Sequence, residues 1–358
     1  MKILCVIDSL GSGGAQRQLV ELAKGFREKG NYVAFLVYHH EPFYLDDIKD
    51  CDIDYTCIEE SNYLRRFLKM RQYIRIGNYD VVLSFLEAAN FICELSGFPY
   101  RKWKLIVGER SSNPNILKSK KLRLYRWFHL LADYVVANSN ENIKLIKKVN
   151  PFLSKNNCKV IYNLVDSDVW KPADDYIPLK NGKINIVVAA RHQYLKNARG
   201  LIMALNLLNE EEEKKISIDW YGDESPDNSF LESEQLVKQF NLTNIITFHK
   251  ATNSIINKMQ YADIIALFSF YEGFPNIICE AMMLAKPVIS SAVSDIPVIL
   301  PPDFIFDPTN TKNIAKSISF LLSLHGDDFI KIGKNNREVA LSLFDKNIII
   351  REYLDLFK

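Results

Sequence analysis

Short apolar runs recur along the first half of the chain, and amphipathic stretches separate them. The runs have the length and β-branched content of buried strands. The first stretch between two runs predicts a helix ending near Lys29, since Leu19, Leu22 and Phe26 share one face. The predicted strands of this half are 2–10, 32–38, 55–58, 81–85, 105–107, 134–137 and 159–162. Strands alternating with helices predict a doubly wound parallel α/β sheet.

The second half repeats this plan, so we predict two Rossmann-like domains that leave a ligand cleft at the carboxyl ends of their strands. Its predicted strands are 185–190, 216–221, 245–249, 262–270, 287–291 and 304–306, and its predicted helices include 198–208 and 230–240. Pro172 and Pro178 mark a linker, and an amphipathic helix closes the chain from Phe344. The expected domains are 1–170 and 171–343, with 344–358 as a C-terminal helix.

Composition narrows the class of protein. A chain of 358 residues with 48% hydrophobic and 25% charged residues is typical of a two-domain soluble protein. No apolar run reaches membrane-span length and the start turns polar too soon for a signal peptide, so we expect a cytoplasmic protein. The six cysteines are scattered, which favours reduced thiols.

Charge is unevenly distributed between the halves. Residues 1–170 contain 25 Lys and Arg against 19 Asp and Glu, whereas residues 171–358 contain 20 against 24. The first half is therefore at +6 and the second at −4, within a total of +2. This asymmetry predicts an anionic partner for the first half.

One segment joins a strand to a helix through a glycine and a proline between two carboxylates. The predicted strand 262–270 is followed by Y-E-G-F-P-N-I-I-C-E, which begins at residue 271. Gly273 allows the backbone to approach a ligand closely, and Pro275 suits the first turn of a helix. Glu272 therefore lies on the loop and Glu280 on the helix.

The start of this helix is a candidate site for an anionic ligand such as a nucleotide-sugar. N–H groups of Phe274, Asn276 and Ile277 would favour an anion such as a diphosphate, because the helix dipole is positive there. Glu272, on the loop before the anion, would lie at the reacting group of this ligand. Glu280, further along the helix, could accept hydrogen bonds from vicinal hydroxyls such as those of a ribose.

These residues resemble the E-x₇-E motif of retaining GT-B glycosyltransferases of family four, the glycosyl transferases group 1 type. The following A-M-M-L-A-K-P-V-I-S-S resembles that family's continuation, although the family usually has Gly where Lys286 stands, which we expect to affect a turn. The resemblance implies two Rossmann-like domains facing across a cleft, with the C-terminal helix crossing back to the first domain. It also implies a nucleotide-sugar donor held mainly by the second domain, and an acceptor held by the first.

Two further segments resemble the same family. A-A-R-H-Q-Y-L-K-N places Arg191 and Lys196 around a loop, where fixed cations would stabilise the charge that grows on a departing diphosphate. The Gly-rich G-S-G-G-A-Q resembles the family's G-G-A-E, which implies that Gly13 and Gly14 let the backbone approach the donor phosphates. A nicotinamide dinucleotide site is disfavoured, because the fingerprint requires Gly where Gln16 stands. The alternative for Arg191 and Lys196 is that both are ordinary solvated charges beside a loop.

Two D-x-D pairs raise the question of a metal ion, since such carboxylates hold a divalent cation in other transferases. Asp52 and Asp54 precede a strand, and Asp166 and Asp168 lie between the domains, whereas a metal-binding pair should close a strand of the nucleotide-binding domain. We interpret both pairs as solvated turn residues and predict no metal or other cofactor.

Acceptor binding has a weaker signal. I-V-G-E-R-S-S-N-P follows the fifth strand, and related polysaccharide enzymes have a similar segment in the acceptor domain. Glu109 could position the incoming hydroxyl and Arg110 could face an acceptor phosphate. A structural ion pair is the alternative.

Two basic segments in the first half suggest an anionic membrane surface. One spans residues 63–75 and the other 118–128, and each mixes cations with apolar or aromatic side chains. The cations are Arg65, Arg66, Lys69, Arg71 and Arg75 in the first segment and Lys118, Lys120, Lys121, Arg123 and Arg126 in the second. Such helices can lie on an anionic leaflet, or they can face the core and expose lysines. Nucleic acid is disfavoured because no known binding module accompanies the charge.

We therefore expect a metal-independent, retaining glycosyltransferase that adds a sugar to a lipid-linked glycan in surface polysaccharide synthesis. The family resemblance implies no assigned nucleophile, because the leaving diphosphate can itself take the acceptor proton on the same face. A nucleotide-sugar epimerase of the same fold and a non-catalytic nucleotide- or glycan-binding partner subunit are the alternatives.

Overall fold

The computed structural model describes residues 1–358, and its contacts divide the chain into two compact units. Unit 1 comprises Met1–Leu164 and Lys346–Lys358, and unit 2 comprises Val165–Asp345. The boundaries expected from sequence, after residues 170 and 343, lie close to these points.

Strands form one parallel sheet in each unit. They are β1 (Lys2–Val6), β2 (Tyr32–Val37), β3 (Asp54–Cys57), β4 (Val81–Phe85), β5 (Lys104–Glu109), β6 (Tyr134–Ala137), β7 (Cys158–Val160), β8 (Ile184–Ala189), β9 (Ile216–Tyr221), β10 (Ile246–His249), β11 (Ile264–Leu267), β12 (Val288–Ser291) and β13 (Ile305–Phe306). The order is β3-β2-β1-β4-β5-β6-β7 in unit 1 and β10-β9-β8-β11-β12-β13 in unit 2. The predicted doubly wound parallel fold is confirmed.

Helices occupy most connections between the strands. They are α1 (Gly14–Glu28), α2 (Leu45–Lys49), α3 (Tyr63–Ile76), α4 (Glu87–Ser96), α5 (Lys120–Trp127), α6 (Asn140–Val149), α7 (Ala198–Leu205), α8 (Glu210–Glu213), α9 (Ser229–Gln239), α10 (Ile255–Gln260), α11 (Asn276–Met283), α12 (Ile296–Ile299), α13 (Thr311–Leu321), α14 (Gly326–Leu343) and α15 (Lys346–Phe357). Short 3₁₀ turns lie at Pro114–Leu117, Phe128–Leu131, Tyr194–Lys196 and Pro302–Phe304.

The sheet of unit 1 has a hydrophobic core on each face, which explains its nearly continuous apolar strands. All five residues of β4 are buried. The closing helix α15 packs on α1, where a Cβ on Gly25 would lie 1.9 Å from Cδ1 of Ile350. The Phe26 ring also packs against that of Phe357, with centroids 5.1 Å apart. Glycine at position 25 therefore permits the close approach of the two helices.

In unit 2, strand β9 alternates between buried and half-exposed side chains, with Ile218 and Trp220 in the core. Asp263, just before β11, holds the segment that leads from the first unit into β8. Its carboxylate accepts hydrogen bonds from the Tyr176 hydroxyl (2.7 Å) and from the backbone N–H of Asn185 (2.8 Å). Charge-assisted bonds of this kind are among the stronger ones in proteins, so Asp263 anchors the start of unit 2.

The turn after α11 differs from expectation. Its left-handed residue is Ala285, with φ of 56°, whereas Lys286 enters the core and is 1% exposed. The Lys286 Nζ lies 3.0 Å from the ring centroid of Tyr176 and makes no hydrogen bond. Burial lowers the pKa of Lys286 to about 7, although Asp263 opposes the shift. Lysine at position 286 therefore places an amine in the core. The turn residue with positive φ is Ala285, the residue before it.

Candidate functional site

The Glu272 carboxylate lies on the loop after β11 and is held by two side chains. Its Oε1 accepts hydrogen bonds from the Ser269 hydroxyl at 2.7 Å and from the Lys196 ammonium at 2.5 Å. The side chains of Lys196 and Glu272 are 19% and 16% exposed. Two residues that the sequence placed in one site therefore meet, at a position that solvent and a ligand can still reach.

The two loops that carry this pair are joined through their backbones. The Phe270 N–H donates to the Leu195 carbonyl at 3.0 Å, and the rings of Phe270 and Tyr194 pack with centroids 5.2 Å apart. Neither contact is visible in the local sequence. Because the backbones are tied, Lys196 and Glu272 keep their spacing without depending on their own ion pair.

Asn197, directly after the lysine, is a positioning residue that sequence reasoning missed. It has a left-handed backbone (φ 57°, ψ 41°), and its side chain caps α7 by accepting from the Gly200 N–H at 3.0 Å. The amide nitrogen donates to the carbonyls of Phe268 and Pro308 at 3.2 and 2.9 Å. Asparagine is one of the few residues that tolerate this conformation and cap a helix.

Arg191 follows β8 and is exposed, whereas the next residue, His192, is buried. The His192 ring is buried and stacks on Trp220, with centroids 5.6 Å apart, and meets Phe248 edge-on at 5.1 Å. The backbone N–H of His192 donates to the Asp223 carbonyl at 2.8 Å. Burial lowers the pKa of His192, which favours the neutral ring. The histidine therefore anchors the backbone next to Arg191 through packing with aromatic side chains.

Helix α11 begins after Pro275 without a capping side chain, and its predicted ligand N–H groups at Asn276 and Ile277 belong to its first turn. Phe274 is 5% exposed and packs on Phe344, with ring centroids 5.6 Å apart. Glu280 lies on the buried part of α11 and is 5% exposed. The predicted strand, loop and helix are confirmed, and donor binding by these residues remains a prediction.

Gly273 is held by a residue that no motif indicated. Its carbonyl accepts a short hydrogen bond from the Ser294 hydroxyl. Ser294 itself has a left-handed backbone, with φ of 54°. This conformation is uncommon for serine, and it aims the hydroxyl at the loop that carries Glu272.

In unit 1, the Gly-rich loop leads from β1 into α1. Gly13 is the residue before the helix, and a Cβ there would lie 2.0 Å from the Gln16 side chain. Gln16 folds back and donates to the Asp8 carboxylate at 2.9 Å. The absence of a Cβ at Gly13 therefore leaves room for the Gln16 side chain. The approach of Gly13 and Gly14 to donor phosphates remains a prediction.

Glu109 lies in a buried network of ion pairs. It is 2% exposed, and its two oxygens are 2.7 Å from an Arg126 nitrogen and 2.9 Å from a His129 ring nitrogen. The other ring nitrogen of His129 lies 2.6 Å from Glu94. Burial alone would raise the pKa of Glu109, but Arg126 and His129 outweigh it and hold the pKa below its ordinary value. This is the ion-pair alternative, and an acceptor role for Glu109 remains untested.

Arg110 is also engaged within unit 1. Its guanidinium donates to the Tyr353 hydroxyl at 2.6 Å and to Asn163 at 3.2 Å, and it lies 3.9 Å from the ring centroid of Phe85. Burial lowers the pKa of Arg110, against the opposing effect of Tyr353. The arginine thus fixes α15 to the sheet, and its contact with an acceptor phosphate stays a prediction.

Two family models together match nearly the whole chain. The model described as Glycosyltransferase Family 4 matches residues 12–169, and that described as Glycosyl transferases group 1 matches residues 173–339. The protein belongs to the group 1 glycosyltransferases. The resemblance carried by the E-x₇-E segment is therefore confirmed.

Curated relatives and solved structures agree with this assignment. The glycosyltransferase is 24% identical, over 99% of its length and 98% of the relative, to a Campylobacter jejuni N-acetylgalactosamine-N,N'-diacetylbacillosaminyl-diphospho-undecaprenol 4-alpha-N-acetylgalactosaminyltransferase. It matches Anabaena HepE in complex with UDP with a TM-score of 0.87 and 20% identity over 99% of both chains. A Rickettsia africae glycosyltransferase gives a TM-score of 0.84 at 21% identity, covering 100% and 97% of the two chains. These structures establish the GT-B fold.

The first basic segment of the glycosyltransferase forms α3, which exposes apolar side chains. Leu64, Leu68 and Ile76 are 65%, 53% and 67% exposed. Arg71 and Arg75 donate to carbonyls of the neighbouring segment 95–100, where Phe98 and Tyr100 are also exposed. We call Leu64, Leu68, Ile76, Phe98 and Tyr100 the α3 apolar patch. None of the protein's helices combines the length and the hydropathy that a membrane span requires.

The second basic segment is divided between surface and interior. Leu124 and Trp127 of α5 are exposed, and Trp127 packs on the exposed Phe152, with centroids 5.7 Å apart. Arg126, for which the sequence left both a membrane-facing and a core-facing position open, is fully buried and pairs with Glu109 and Glu87. The core-facing alternative is therefore correct for Arg126, because distant carboxylates pair with it.

The two D-x-D pairs lie apart from Lys196 and Glu272 in sequence and have local partners. Asp52 has a left-handed backbone and pairs with Arg27. Asp54 begins β3, and Asp166 accepts a hydrogen bond from the Asp168 N–H at 3.0 Å. These contacts agree with turn and strand-start roles.

Proposed function

We propose that this glycosyltransferase transfers a sugar from a nucleoside-diphosphate sugar to a lipid-diphosphate-linked glycan, with retention and without a metal ion, in surface polysaccharide synthesis. The observation that carries the proposal is the contact between Lys196 and Glu272 on two joined loops, next to the start of α11. The UDP in the HepE structure and the diphospho-undecaprenol acceptor in the Campylobacter relative's name support the choice of donor and acceptor.

Lys196 and Arg191 would stabilise the negative charge that develops on the leaving diphosphate. An ammonium has three donors, and the contact with Glu272 uses one of them, so two remain for phosphate oxygens. Charges fixed before the reaction act most strongly in a site that excludes water. Cations in these positions supply the role that a divalent ion has in other transferases, which is why we propose no metal.

Glu272 would contact the transferred sugar, and Glu280 would accept hydrogen bonds from the ribose. Both lie on one strand-loop-helix segment, so one element could hold the donor from its two ends. The Glu272 carboxylate accepts hydrogen bonds from Lys196 and Ser269. As the family resemblance implies, we assign no protein nucleophile, and the departing diphosphate would accept the acceptor proton on the face where transfer occurs.

The acceptor lipid would bring the enzyme to an anionic membrane surface through the α3 apolar patch. Arg65 is exposed beside Leu64 and Leu68, so apolar and cationic side chains lie together. Each cation near an anionic leaflet contributes about 1 kcal/mol to binding. This would make the cytoplasmic enzyme peripheral on the inner face of the plasma membrane.

Vesicle flotation tests the surface. Wild-type protein should float with phosphatidylglycerol vesicles, and Leu64→Asp should reduce the bound fraction, whereas Leu341→Asp, at an exposed leucine of unit 2, should not. Equal loss in both variants, or no flotation of the wild type, would refute membrane contact by the α3 apolar patch.

Transfer itself is tested with a panel of uridine, guanosine and adenosine diphosphate sugars and an undecaprenyl-diphosphate oligosaccharide in EDTA. Proton NMR of the product reports the anomeric configuration. Lys196→Met should lower kcat about 10²–10³-fold, the cost of removing one fixed stabilising group. The exposed Lys238→Met is the matched control.

Four outcomes distinguish the alternatives. Product with an inverted anomeric centre would refute retention, and activity only after added divalent ions would refute metal independence. Isomerised donor sugar without acceptor would favour an epimerase. A Glu272→Ala variant that binds donor and supports normal cellular polysaccharide would favour a non-catalytic subunit.

A further inference from the structure

A histidine, a cysteine and a glutamate come together at the carboxyl edge of the unit 1 sheet, and none of them is among the residues assigned to donor or acceptor binding. Strands β2 and β3 are parallel neighbours, with Val37 opposite Cys57. His40 follows β2 and Glu59 follows β3, so both lie at the carboxyl edge shared by the two strands. A ring nitrogen of His40, the Cys57 sulfur and a Glu59 oxygen all lie within 4.8 Å of one another.

We propose that His40, Cys57 and Glu59 form a binding site for a soft divalent cation of the Zn²⁺ type. Imidazole, thiolate and carboxylate are the three ligand types that Zn²⁺ uses, and catalytic or exchangeable sites have three protein ligands and one water. Mg²⁺ and Ca²⁺ require oxygen ligands and would not select a cysteine. The donor set therefore points to zinc or a similar ion.

The geometry is close to that of a bound ion. Zinc–ligand distances of about 2.0–2.3 Å in a tetrahedron place ligand atoms roughly 3.5 Å apart. Because the three ligand atoms lie within 4.8 Å of one another, binding requires a contraction of at most about 1.3 Å. His40 and Glu59 are exposed and can rotate, whereas Cys57 is half-buried at the strand end and supplies the fixed point.

The surroundings leave the two exposed ligands, His40 and Glu59, available. Glu60, next to Glu59, is paired with Lys69 at 2.8 Å, whereas neither His40 nor Glu59 makes an ion pair. Glu41, next to His40, accepts a hydrogen bond from the Ser9 hydroxyl at 2.8 Å, at the start of the Gly-rich loop. A bound ion would therefore order the segment that contacts this loop.

Cobalt(II) titration of the full-length, chelator-treated protein tests the site, and it does not depend on the proposed transferase activity. We expect a thiolate-to-cobalt charge-transfer absorption in the near ultraviolet with one equivalent bound, and displacement by Zn²⁺. Cys57→Ser should abolish the absorption, and Cys51→Ser, at another half-buried cysteine of unit 1, should retain it.

Exposed ligands provide a second test if Cys57→Ser does not fold. His40→Gln and Glu59→Gln should keep the fold and weaken cobalt binding at least about tenfold, as loss of even an outer-sphere partner does. The proposal is wrong if wild-type protein shows no thiolate absorption at millimolar cobalt. It is equally wrong if the absorption survives Cys57→Ser, or if both exposed-ligand variants bind cobalt like the wild type.

Discussion

Lys286 is a buried amine whose replacement should stabilise the protein in a pH-dependent way. Its Nζ lies over the Tyr176 ring without a hydrogen bond. Methionine has nearly the same length, keeps a favourable contact with the aromatic ring and carries no charge to desolvate. Lys286→Met therefore removes the cost of the amine while preserving the packing.

The magnitude follows from linkage between protonation and folding. A pKa of about 7 in the folded protein, against 10.5 for an ordinary lysine, means that the unfolded chain binds more protons between these pH values. Stability of the wild type therefore rises with pH across this window. The shifted pKa of Lys286 lowers the free energy of unfolding by on the order of 4 kcal/mol at pH 7 and roughly 2 kcal/mol at pH 9.

Urea unfolding at pH 7, 8 and 9, followed by tryptophan fluorescence, measures the effect. We expect Lys286→Met to exceed the wild type in stability at pH 7 and the difference to decrease by about 2 kcal/mol at pH 9. Comparing variant and wild type at each pH cancels the other titrating groups. The exposed Lys238→Met should show no pH-dependent difference. A constant difference across this range, or destabilisation at every pH, would refute the buried neutral amine.

Three other changes test the fold and the site. Ala285→Gly should raise thermal stability by about 1 kcal/mol, because glycine adopts positive φ without strain, whereas Ala281→Gly inside α11 should lower it by a similar amount. His129→Gln should destabilise the protein by about 3 kcal/mol at pH 6. The two glutamate partners of His129 outweigh burial and raise its pKa to about 9. The stability difference between wild type and His129→Gln should therefore shrink as pH rises through 9. An unchanged urea midpoint at pH 6 would contradict this prediction. Asn197→Gly keeps the left-handed backbone but loses the amide contacts, so kcat should fall at least about tenfold in the transfer assay, and the exposed Asn206→Gly should not reproduce the loss.

The strands were predictable because apolar, β-branched runs bounded by turn residues report burial directly. β4, β6 and β9 begin and end at the predicted residues. The meeting of Lys196 with Glu272 was predictable as well, although only through the family resemblance, since 76 residues separate them. Periodicity identifies an element, whereas a site requires knowledge of which elements are neighbours.

Residues whose roles depend on distant partners were missed or misplaced. Arg126 has the local sequence of a surface cation, but it is buried because Glu109 and Glu87 pair with it across the fold. Lys286 appeared to be a turn residue, since nothing nearby reveals that Tyr176 provides a surface for its side chain. His192 lies between two cations in a polar loop, where no periodic pattern indicates that it is an aromatic anchor.

The buried cluster of Glu94, Glu109, Arg126 and His129 constrains how this sequence can drift over time. When ionised, its members carry two positive and two negative charges, so replacing any one of them by a neutral residue leaves the buried cluster with an unbalanced charge. Divergent homologues should consequently retain all four positions or exchange them as a set, and a chain carrying only part of the quartet should be rare.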